Sequence, residues 1–333
     1  MTPPTSDYTT HSVAGPEAPL CPICNSKAHY SFSGRDLMYG LHTRYDYFVC
    51  PSCACVFQYP MPDMATIASF YPDNYTVFDQ ETRTRKVSPM RMALLRRMLG
   101  YDHLRVSLAY RFLAAMLTPF QKLTTPAWEG GGRMLDVGCG NGRFLTSMRT
   151  LGWEVQGVEL SETGVKAARL SNLTVHHGDL ASAGFADGAF DLITARHVIE
   201  HIPEPHPFMH ELARILRPGG RLVIETPTST ALGRPWFNTN WYANDVPRHL
   251  FLFSPDNLER LGTGQGLRKI NLIMETTPKI FLNSLDYVIE NRSKPSKRIA
   301  WRRLLSRSYV WLAQRKGRGD TMQMVFVKQP LIR

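Results

Sequence analysis

The chain has 333 residues, of which 43% are hydrophobic and 20% charged, so it can bury a core and is long enough for about two domains. It has no apolar run of membrane-spanning length, and we therefore expect no helical membrane anchor. Its formal net charge is +11, which favours anionic partners such as a membrane surface or nucleic acid.

The first segment, residues 1–20, is rich in Pro, Thr and Ser. It lacks the apolar core of a secretory signal. We expect a disordered tail here and a cytoplasmic protein, which would be peripheral to a membrane if its basic segments bind one.

Two Cys-x-x-Cys pairs follow, Cys21–Cys24 and Cys50–Cys53, with 25 residues between them. Four thiolates at this spacing are typical of a tetrahedral zinc ribbon. Because protein ligands would fill all four positions, we predict a structural Zn²⁺ in a ribbon over residues 21–60. A redox dithiol is the alternative. Cys55 is expected to pack nearby.

Residues 61–128 are predicted to form an aromatic and basic helical linker or cap. The range 81–128 holds nine Lys or Arg against two acids, and 292–318 holds ten and no acid. The latter range falls in a predicted basic helical insertion, residues 286–318. Both stretches can be solvated amphipathic helices that cover a sheet. The alternatives are contact with an anionic membrane or with nucleic acid.

A glycine-rich loop follows an apolar strand at residues 134–145, where Asp136 precedes Gly138, Gly140 and Gly142. Glycine permits a sharp turn and close approach of a ligand to the backbone. The pattern differs from the dinucleotide loop G-x-G-x-x-G, because residue 143 is Arg and an acid precedes the glycines. Such an acid would repel a pyrophosphate but suits a ligand with an ammonium group.

Four further strands are predicted downstream. The second ends at Glu159, whose carboxylate suits the two hydroxyls of a ribose, and the third ends at Asp179. The fourth and fifth cover Phe190–Ala195 and Arg221–Glu225. Acids at the carboxyl ends of strands lie where ligands bind in open α/β sheets.

The span 131–225 resembles the class I S-adenosylmethionine-dependent methyltransferases, whose motifs D-x-G-x-G-x-G, acid, G-D, F-D-x-I and L-R-P-G-G occur here in order. The resemblance implies a Rossmann-like α/β fold with a seven-stranded sheet over residues 129–333, and S-adenosylmethionine as cofactor. A related domain that binds no ligand is the alternative. The residues implied to bind the cofactor are Asp136, Gly138, Cys139, Gly140, Glu159, Leu160, Asp179, Leu180, Arg196 and Tyr75.

The ribbon and the segment Trp236–Ser254 narrow the resemblance to bacterial methyltransferases of sugar, exopolysaccharide and secondary-metabolite pathways. Zinc-containing sugar C-methyltransferases carry a Tyr-Asp-Glu-His-like tetrad in this segment. Here Val246, Pro247 and Arg248 precede His249. The departure disfavours ketosugar C-methylation and leaves His249 as the candidate catalytic base.

His197, Glu200 and His201 form the pattern H-x-x-E-H of inverted zinc peptidases. That site requires a long helix, whereas here the pattern follows the fourth strand and meets Pro203. We expect a loop. A divalent ion bound by these residues, with or without His249, remains an alternative.

Three functional classes are compatible with the sequence. The favoured one is a methyltransferase of a small-molecule or glycan acceptor, with O-methylation preferred. The second is a zinc-ribbon RNA methyltransferase, disfavoured because Ala195-Arg196-His197-Val198 replaces the Asn/Asp-Pro-Pro-aromatic motif used on base amines. The third is a non-catalytic partner that binds the cofactor. The sequence leaves the acceptor, the methylated atom and the oligomeric state open.

Overall fold

The computed structural model describes residues 18–40, 42–71, 87–121, 123–290 and 300–330. Most of the predicted N-terminal tail lies outside these ranges. Within them, no helix combines the length and the apolar composition that crossing a bilayer requires.

The described chain begins with a small antiparallel sheet. Its strands are β1 (His29–Arg35), β2 (Arg44–Val49) and β3 (Val56–Gln58). One Cys-x-x-Cys turn precedes β1 and the other joins β2 to β3. Alternate residues of a strand share one face of the sheet, and here Phe32 stacks on Tyr47 with 4.7 Å between ring centroids.

Within residues 61–128 the described part of the chain contains three α-helices: α1 (Met64–Ser69), α2 (Pro89–Leu99) and α3 (Leu108–Leu117). Helix α2 begins where the Ser88 side chain accepts a hydrogen bond from the Arg91 N–H, and it ends at Gly100 with φ 73°. It buries Leu95 against the large sheet. Helix α3 packs on α2 and buries Ala114.

The rest of the chain alternates strands and helices. The elements up to the fifth strand of the large sheet are β4 (Arg133–Val137), α4 (Arg143–Arg149), β5 (Glu154–Glu159), α5 (Glu162–Leu170), β6 (Thr174–His177), β7 (Phe190–Arg196), α6 (Pro205–Ile215) and β8 (Leu216–Pro227). The later elements are α7 (Arg234–Phe237), β9 (Phe251–Leu252), α8 (Pro255–Thr263), β10 (Leu267–Glu275), α9 (Pro278–Glu290), α10 (Ala300–Arg315) and β11 (Thr321–Lys328).

Seven strands form one sheet in the order β10-β11-β8-β7-β4-β5-β6. Strands β4 to β8 are parallel, and β11 runs antiparallel to β8 and β10. The strand order reverses between β4 and β7, and open α/β sheets bind ligands outside the carboxyl ends of the strands at such a point. The predicted Rossmann-like seven-stranded fold is confirmed.

Strand β9 follows β8 of the large sheet in the chain, yet it pairs with β3 and completes the small sheet in the order β1-β2-β3-β9. Just after β9, Ser254 Oγ and Asn257 Nδ2 donate to the Cys53 carbonyl oxygen at 2.8 and 3.1 Å. The segment that follows β8 therefore supplies one edge strand of the small sheet. The domain boundary predicted between residues 60 and 61, at the end of the zinc ribbon, stays a prediction.

Candidate active site

The glycine loop lies at the carboxyl end of β4, next to the point where the strand order reverses. Gly138, Gly140 and Gly142 all have positive φ, between 54° and 72°. A Cβ atom on Gly138 would lie 2.5 Å from Val198 Cγ2, and one on Gly142 would lie 2.2 Å from Leu173 Cδ1. The loop thus depends on glycine both for its backbone conformation and for space.

Asp136 at the end of β4 has one carboxylate oxygen that lacks a hydrogen-bond donor among the described residues. Thr194 Oγ1 donates to its Oδ1 at 2.5 Å, whereas its Oδ2 is buried and without such a bond. Arg196 Nη2 lies 3.5 Å from that Oδ2. Burial raises the pKa of Asp136 to about 6, against the lowering effect of Arg196 and Thr194. A buried carboxylate with one oxygen that accepts no hydrogen bond is compatible with the ammonium group that the sequence predicts as its partner, although Arg196 already lies near that oxygen.

Glu159 at the end of β5 holds the glycine loop in place. Its Oε2 accepts a hydrogen bond from Gly140 N at 2.7 Å, and its Oε1 accepts one from Ser161 N at 2.8 Å. Each carboxylate oxygen has a second lone pair, so both can still accept a ribose hydroxyl. The predicted role of Glu159 is compatible with this geometry and stays a prediction.

The predicted cofactor residues Leu160, which follows β5, and Asp179 and Leu180, which follow β6, lie at the same edge of the large sheet. Asp179 is exposed, and the backbone and side chain of Ser182 hold the pKa of its carboxyl below the usual range. Leu180 is buried beside it, while Leu160 is 64% exposed. An exposed carboxylate and apolar side chains suit the polar edge and the face of a purine.

Arg196, Cys139 and Tyr75 complete the predicted set. The Arg196 guanidinium carbon lies 3.6 Å from the centre of the Phe144 ring, which fixes the arginine above the loop. Cys139 is buried, and its Sγ would lie 2.5 Å from a Cβ on Gly157, so it fills the space beside β5. Tyr75 lies outside the described residues.

His249 lies before β9, 7% exposed, with its two ring nitrogens in different surroundings. Nδ1 is 2.9 Å from the Ala243 carbonyl oxygen, which can only accept, so Nδ1 carries the proton in the neutral ring. Nε2 then presents a lone pair, 3.9 Å from Glu200 Oε1 and 3.8 Å from Asp245 Oδ2. The neutral ring thus has one nitrogen that can accept a proton, and two carboxylates lie near it.

Glu200 lies on a short 3-10 turn, Ile199–His201, rather than within a long helix. The loop predicted there is confirmed in this respect. The Glu200 side chain is fully buried, and its Oε2 accepts from Thr226 Oγ1 at 2.9 Å. Although burial raises the pKa of Glu200, hydrogen bonding and charge from His197 lower it to about 2. Desolvation lowers the pKa of His197, whose side chain is half exposed, but Glu200 and Glu225 raise it to about 10.

His201 packs edge-on against His249 with 4.8 Å between ring centroids. Its Nδ1 is 2.9 Å from the Arg248 carbonyl oxygen and 3.0 Å from Tyr71 Oη. Burial and the charge of His249 lower the pKa of His201 to about 4, so this ring is neutral at pH 7. No local sequence pattern predicts that Tyr71 reaches this histidine, which is 130 residues away in the chain.

Arg248, which departs from the tetrad expected by resemblance, is completely buried between two carboxylates. Its Nη1 donates to Asp36 Oδ2 at 2.8 Å, and its Nη2 donates to Asp245 Oδ1 at 2.7 Å. Burial lowers the pKa of Arg248, but the two carboxylates raise it above its usual range, so the side chain is charged. It fixes Asp245, and through Asp245 the surroundings of His249.

The four predicted zinc ligands lie together, their sulfur atoms all within 4.8 Å of one another. Cys21 and Cys53 sulfurs are 3.7 Å apart, and those of Cys24 and Cys50 are 3.5 Å apart. Zn–S bonds of about 2.3 Å in a tetrahedron place sulfurs about 3.8 Å apart. The donor set and spacing therefore fit one Zn²⁺. Cys55 is buried and packs nearby.

Glu200, His201 and His249 form a second group of close donor atoms, within 4.8 Å of one another. A divalent cation could bind such a group of two imidazoles and a carboxylate. His197 is directed instead toward Glu200 and Glu225, at 3.3 and 3.4 Å.

The known proteins that are similar to this chain are methyltransferases. The methyltransferase domain family matches residues 101–272. A "Ubiquinone biosynthesis O-methyltransferase" of Xanthomonas oryzae pv. oryzae (strain PXO99A) is 38% identical over 109 residues, 30% of this chain and 45% of that protein. One of Mesorhizobium japonicum is 33% identical over 153 residues, 42% of this chain and 61% of that protein. The chain thus spans about half the length of these curated relatives. A SAM dependent methyltransferase of known structure from Archaeoglobus fulgidus has a TM-score of 0.45 and 20% identity, covering 70% of this chain and 99% of that one.

Proposed function

Since this chain belongs to the methyltransferase domain family, we propose that it transfers the methyl group of S-adenosylmethionine to a hydroxyl oxygen of a small-molecule or glycan acceptor. The observation that carries the proposal is the position of His249 Nε2, which has a lone pair and faces two carboxylates. The curated relatives named as O-methyltransferases support oxygen as the methylated atom.

S-adenosylmethionine supplies an activated methyl group when bound, so the protein has to hold the reactants and remove the acceptor's proton. Asp136 and the glycine loop would hold the methionine part. Glu159 would hold the ribose, and Asp179 with Leu180 the adenine. Each assignment follows from an acid or a glycine at the carboxyl end of a parallel strand.

His249 Nε2 would take the proton of the acceptor hydroxyl. The resulting imidazolium would keep its Nδ1 bond to Ala243 and gain attraction from Glu200 and Asp245. His201 is neutral at pH 7 and so adds no repulsion to that charge. General base catalysis of this kind contributes about 10² to 10⁴ in rate.

We also propose a cytoplasmic protein with a structural Zn²⁺ on Cys21, Cys24, Cys50 and Cys53. The sulfur spacing supports the metal. Membrane contact through the basic segments is favoured over nucleic-acid binding, because exposed tryptophans accompany the arginines of α10. An RNA methyltransferase remains the alternative function.

Methyl-labelled S-adenosylmethionine tests the acceptor class. The protein is incubated separately with small-molecule and glycan fractions and with total RNA from the same cells, and His249→Ala serves as the control. We expect label in the small-molecule or the glycan fraction and its loss in the variant. Label in RNA alone would overturn the acceptor class. Tight cofactor binding without label in any fraction would favour the non-catalytic partner.

A further inference from the structure

Helix α10 is anchored to the protein through one face. Its buried residues Arg302, Ser306, Tyr309 and Ala313 recur every three or four positions, as one side of a helix does. Arg302 Nη1 donates to Asp286 Oδ1 at 2.6 Å, and both side chains are buried. Tyr309 Oη donates to Asp320 Oδ1 at 2.5 Å. These contacts hold the helix in one orientation.

The exposed surface of α10 carries further apolar residues, Trp301, Leu304, Leu305 and Trp311, which we call the outer stripe. Leu304 and Trp311 lie opposite the buried face, and Trp301 and Leu305 lie along one side of the helix, between these two residues and the buried face. Their exposed fractions are 48, 67, 47 and 59%. Two tryptophans and two leucines at these exposures are more than scattered apolar residues, and such a patch marks an interaction surface.

The charge around the outer stripe specifies the partner. Arg303, Arg307 and Arg315 are exposed on α10, and residues 300–318 contain no Asp or Glu. Asp286 on the neighbouring helix α9 is already paired with the buried Arg302. A second copy of this helix would oppose arginine with arginine. The surface instead requires a partner that is apolar and negatively charged.

We propose that the outer stripe docks on an anionic phospholipid membrane. An interfacial helix has tryptophan and leucine on the face that enters the headgroup region, with arginines beside it that attract anionic lipids. Tryptophan suits this depth because its ring is apolar while its N–H can remain hydrated. Helix α10 meets this description while its other face stays bound to the protein.

The docking would bring the membrane close to the segment that precedes His249. Helix α10 packs against α9, where Ser284 Oγ accepts a hydrogen bond from Tyr242 N at 2.8 Å and Tyr287 packs on Tyr242. An amphiphilic acceptor held in the membrane would therefore be presented near the candidate base. Membrane binding itself does not depend on methyl transfer, so the two proposals can fail separately.

Sedimentation with lipid vesicles tests the surface. We expect the full-length protein to bind vesicles of phosphatidylglycerol and phosphatidylcholine, and to bind pure phosphatidylcholine much more weakly. At about 1 kcal/mol for each basic residue near the surface, Arg303→Gln with Arg307→Gln should weaken binding roughly thirty-fold. Trp301→Ser with Trp311→Ser should also abolish most binding.

Two variants with similar changes elsewhere are the controls. Leu170→Ser removes an 87% exposed leucine from α5, and Lys166→Gln with Arg260→Gln removes two exposed charges. Both should bind vesicles as the unmodified protein does. Equal losses in the controls, or no binding to anionic vesicles, would overturn the proposal. So would a dimer that the Trp301 and Trp311 changes dissociate, without any effect on vesicles.

Discussion

Arg248 Nη1 lies 2.8 Å from Asp36 Oδ2, and neither side chain is exposed to solvent. The two residues are 212 positions apart in sequence. Their ion pair joins the turn after β1 to the segment that carries His249. The same guanidinium holds Asp245, which faces His249 Nε2 at 3.8 Å. The small sheet therefore takes part in positioning the candidate base.

The first prediction concerns this pair. Asp36→Asn leaves Arg248 buried with one carboxylate fewer, and breaking a buried pair costs about 3–5 kcal/mol of unfolding free energy. We expect a lower Tm and, below that Tm, a turnover at least tenfold lower with unchanged cofactor affinity. Calorimetry and steady-state kinetics measure both. Asp46→Asn, on the exposed side of β2, is the matched control and should change neither. A stability loss with normal turnover would leave the pair a purely structural role.

The second prediction concerns His249. If Nε2 removes a proton, His249→Ala should lower turnover by roughly a hundred- to ten-thousandfold. Cofactor affinity should stay within a few-fold, because His249 lies outside the glycine loop and the ends of β5 and β6. His210→Ala, an exposed histidine on α6, is the control. Equal losses of cofactor binding and turnover would place His249 in the cofactor site, and near-normal turnover would refute its role as base.

The third prediction concerns Glu159. Replacing Glu159 by Ala removes the predicted acceptor for the ribose hydroxyls, the hydrogen bond that holds Gly140 of the loop and the one to Ser161 before α5. A loss of about 1.5–3 kcal/mol, or roughly ten- to a hundredfold in affinity, is expected. Titration calorimetry with S-adenosylmethionine measures it. Glu162→Ala, an exposed acid three residues along, should bind normally. Unchanged affinity in Glu159→Ala would falsify the ribose assignment.

The fourth prediction is a pH dependence of cofactor affinity. Burial raises the pKa of Asp136 to about 6, so its carboxylate is charged above that pH and becomes protonated below it. The protonated form cannot neutralise an ammonium group. Affinity should therefore be constant above about pH 7 and fall by up to roughly tenfold for each pH unit below 6. Binding measured from pH 4.5 to 8 checks this. In Asp136→Asn the affinity should be low throughout, with this dependence absent. A dependence that persists in the variant would assign it to another group.

The fifth prediction concerns zinc. Elemental analysis should find one zinc per chain, and a strong chelator should loosen residues 21–60 first. Because Cys53 O accepts bonds from Ser254 and Asn257, hydrogen exchange should also quicken in β9. Cys139→Ser should retain the metal. Zinc-free protein as purified, or zinc retained after replacement of both Cys21 and Cys24, would contradict the assignment.

The surroundings of His249 show why part of the candidate site could not be predicted. Arg248 looked like a departure from a related motif, and Asp36 had no motif at all. A buried arginine requires carboxylates, but any of the chain's acids could have met that need. Only the fold brings Asp36 to it. Tyr71 reaches His201 for the same reason, through a contact that no sequence spacing encodes.

The sequence by itself predicted the glycine loop and the cysteine cluster, which the structure shows. There the required groups are close in the chain, and an acid with three glycines, or two Cys-x-x-Cys turns, acts through local backbone geometry. The strand pattern then predicted which ends would share an edge. The tertiary structure alone decided that the small sheet continues into β9 and that two carboxylates face His249. Such contacts depend on how segments far apart in the chain pack together. The spacing of side chains along one segment does not reveal that packing.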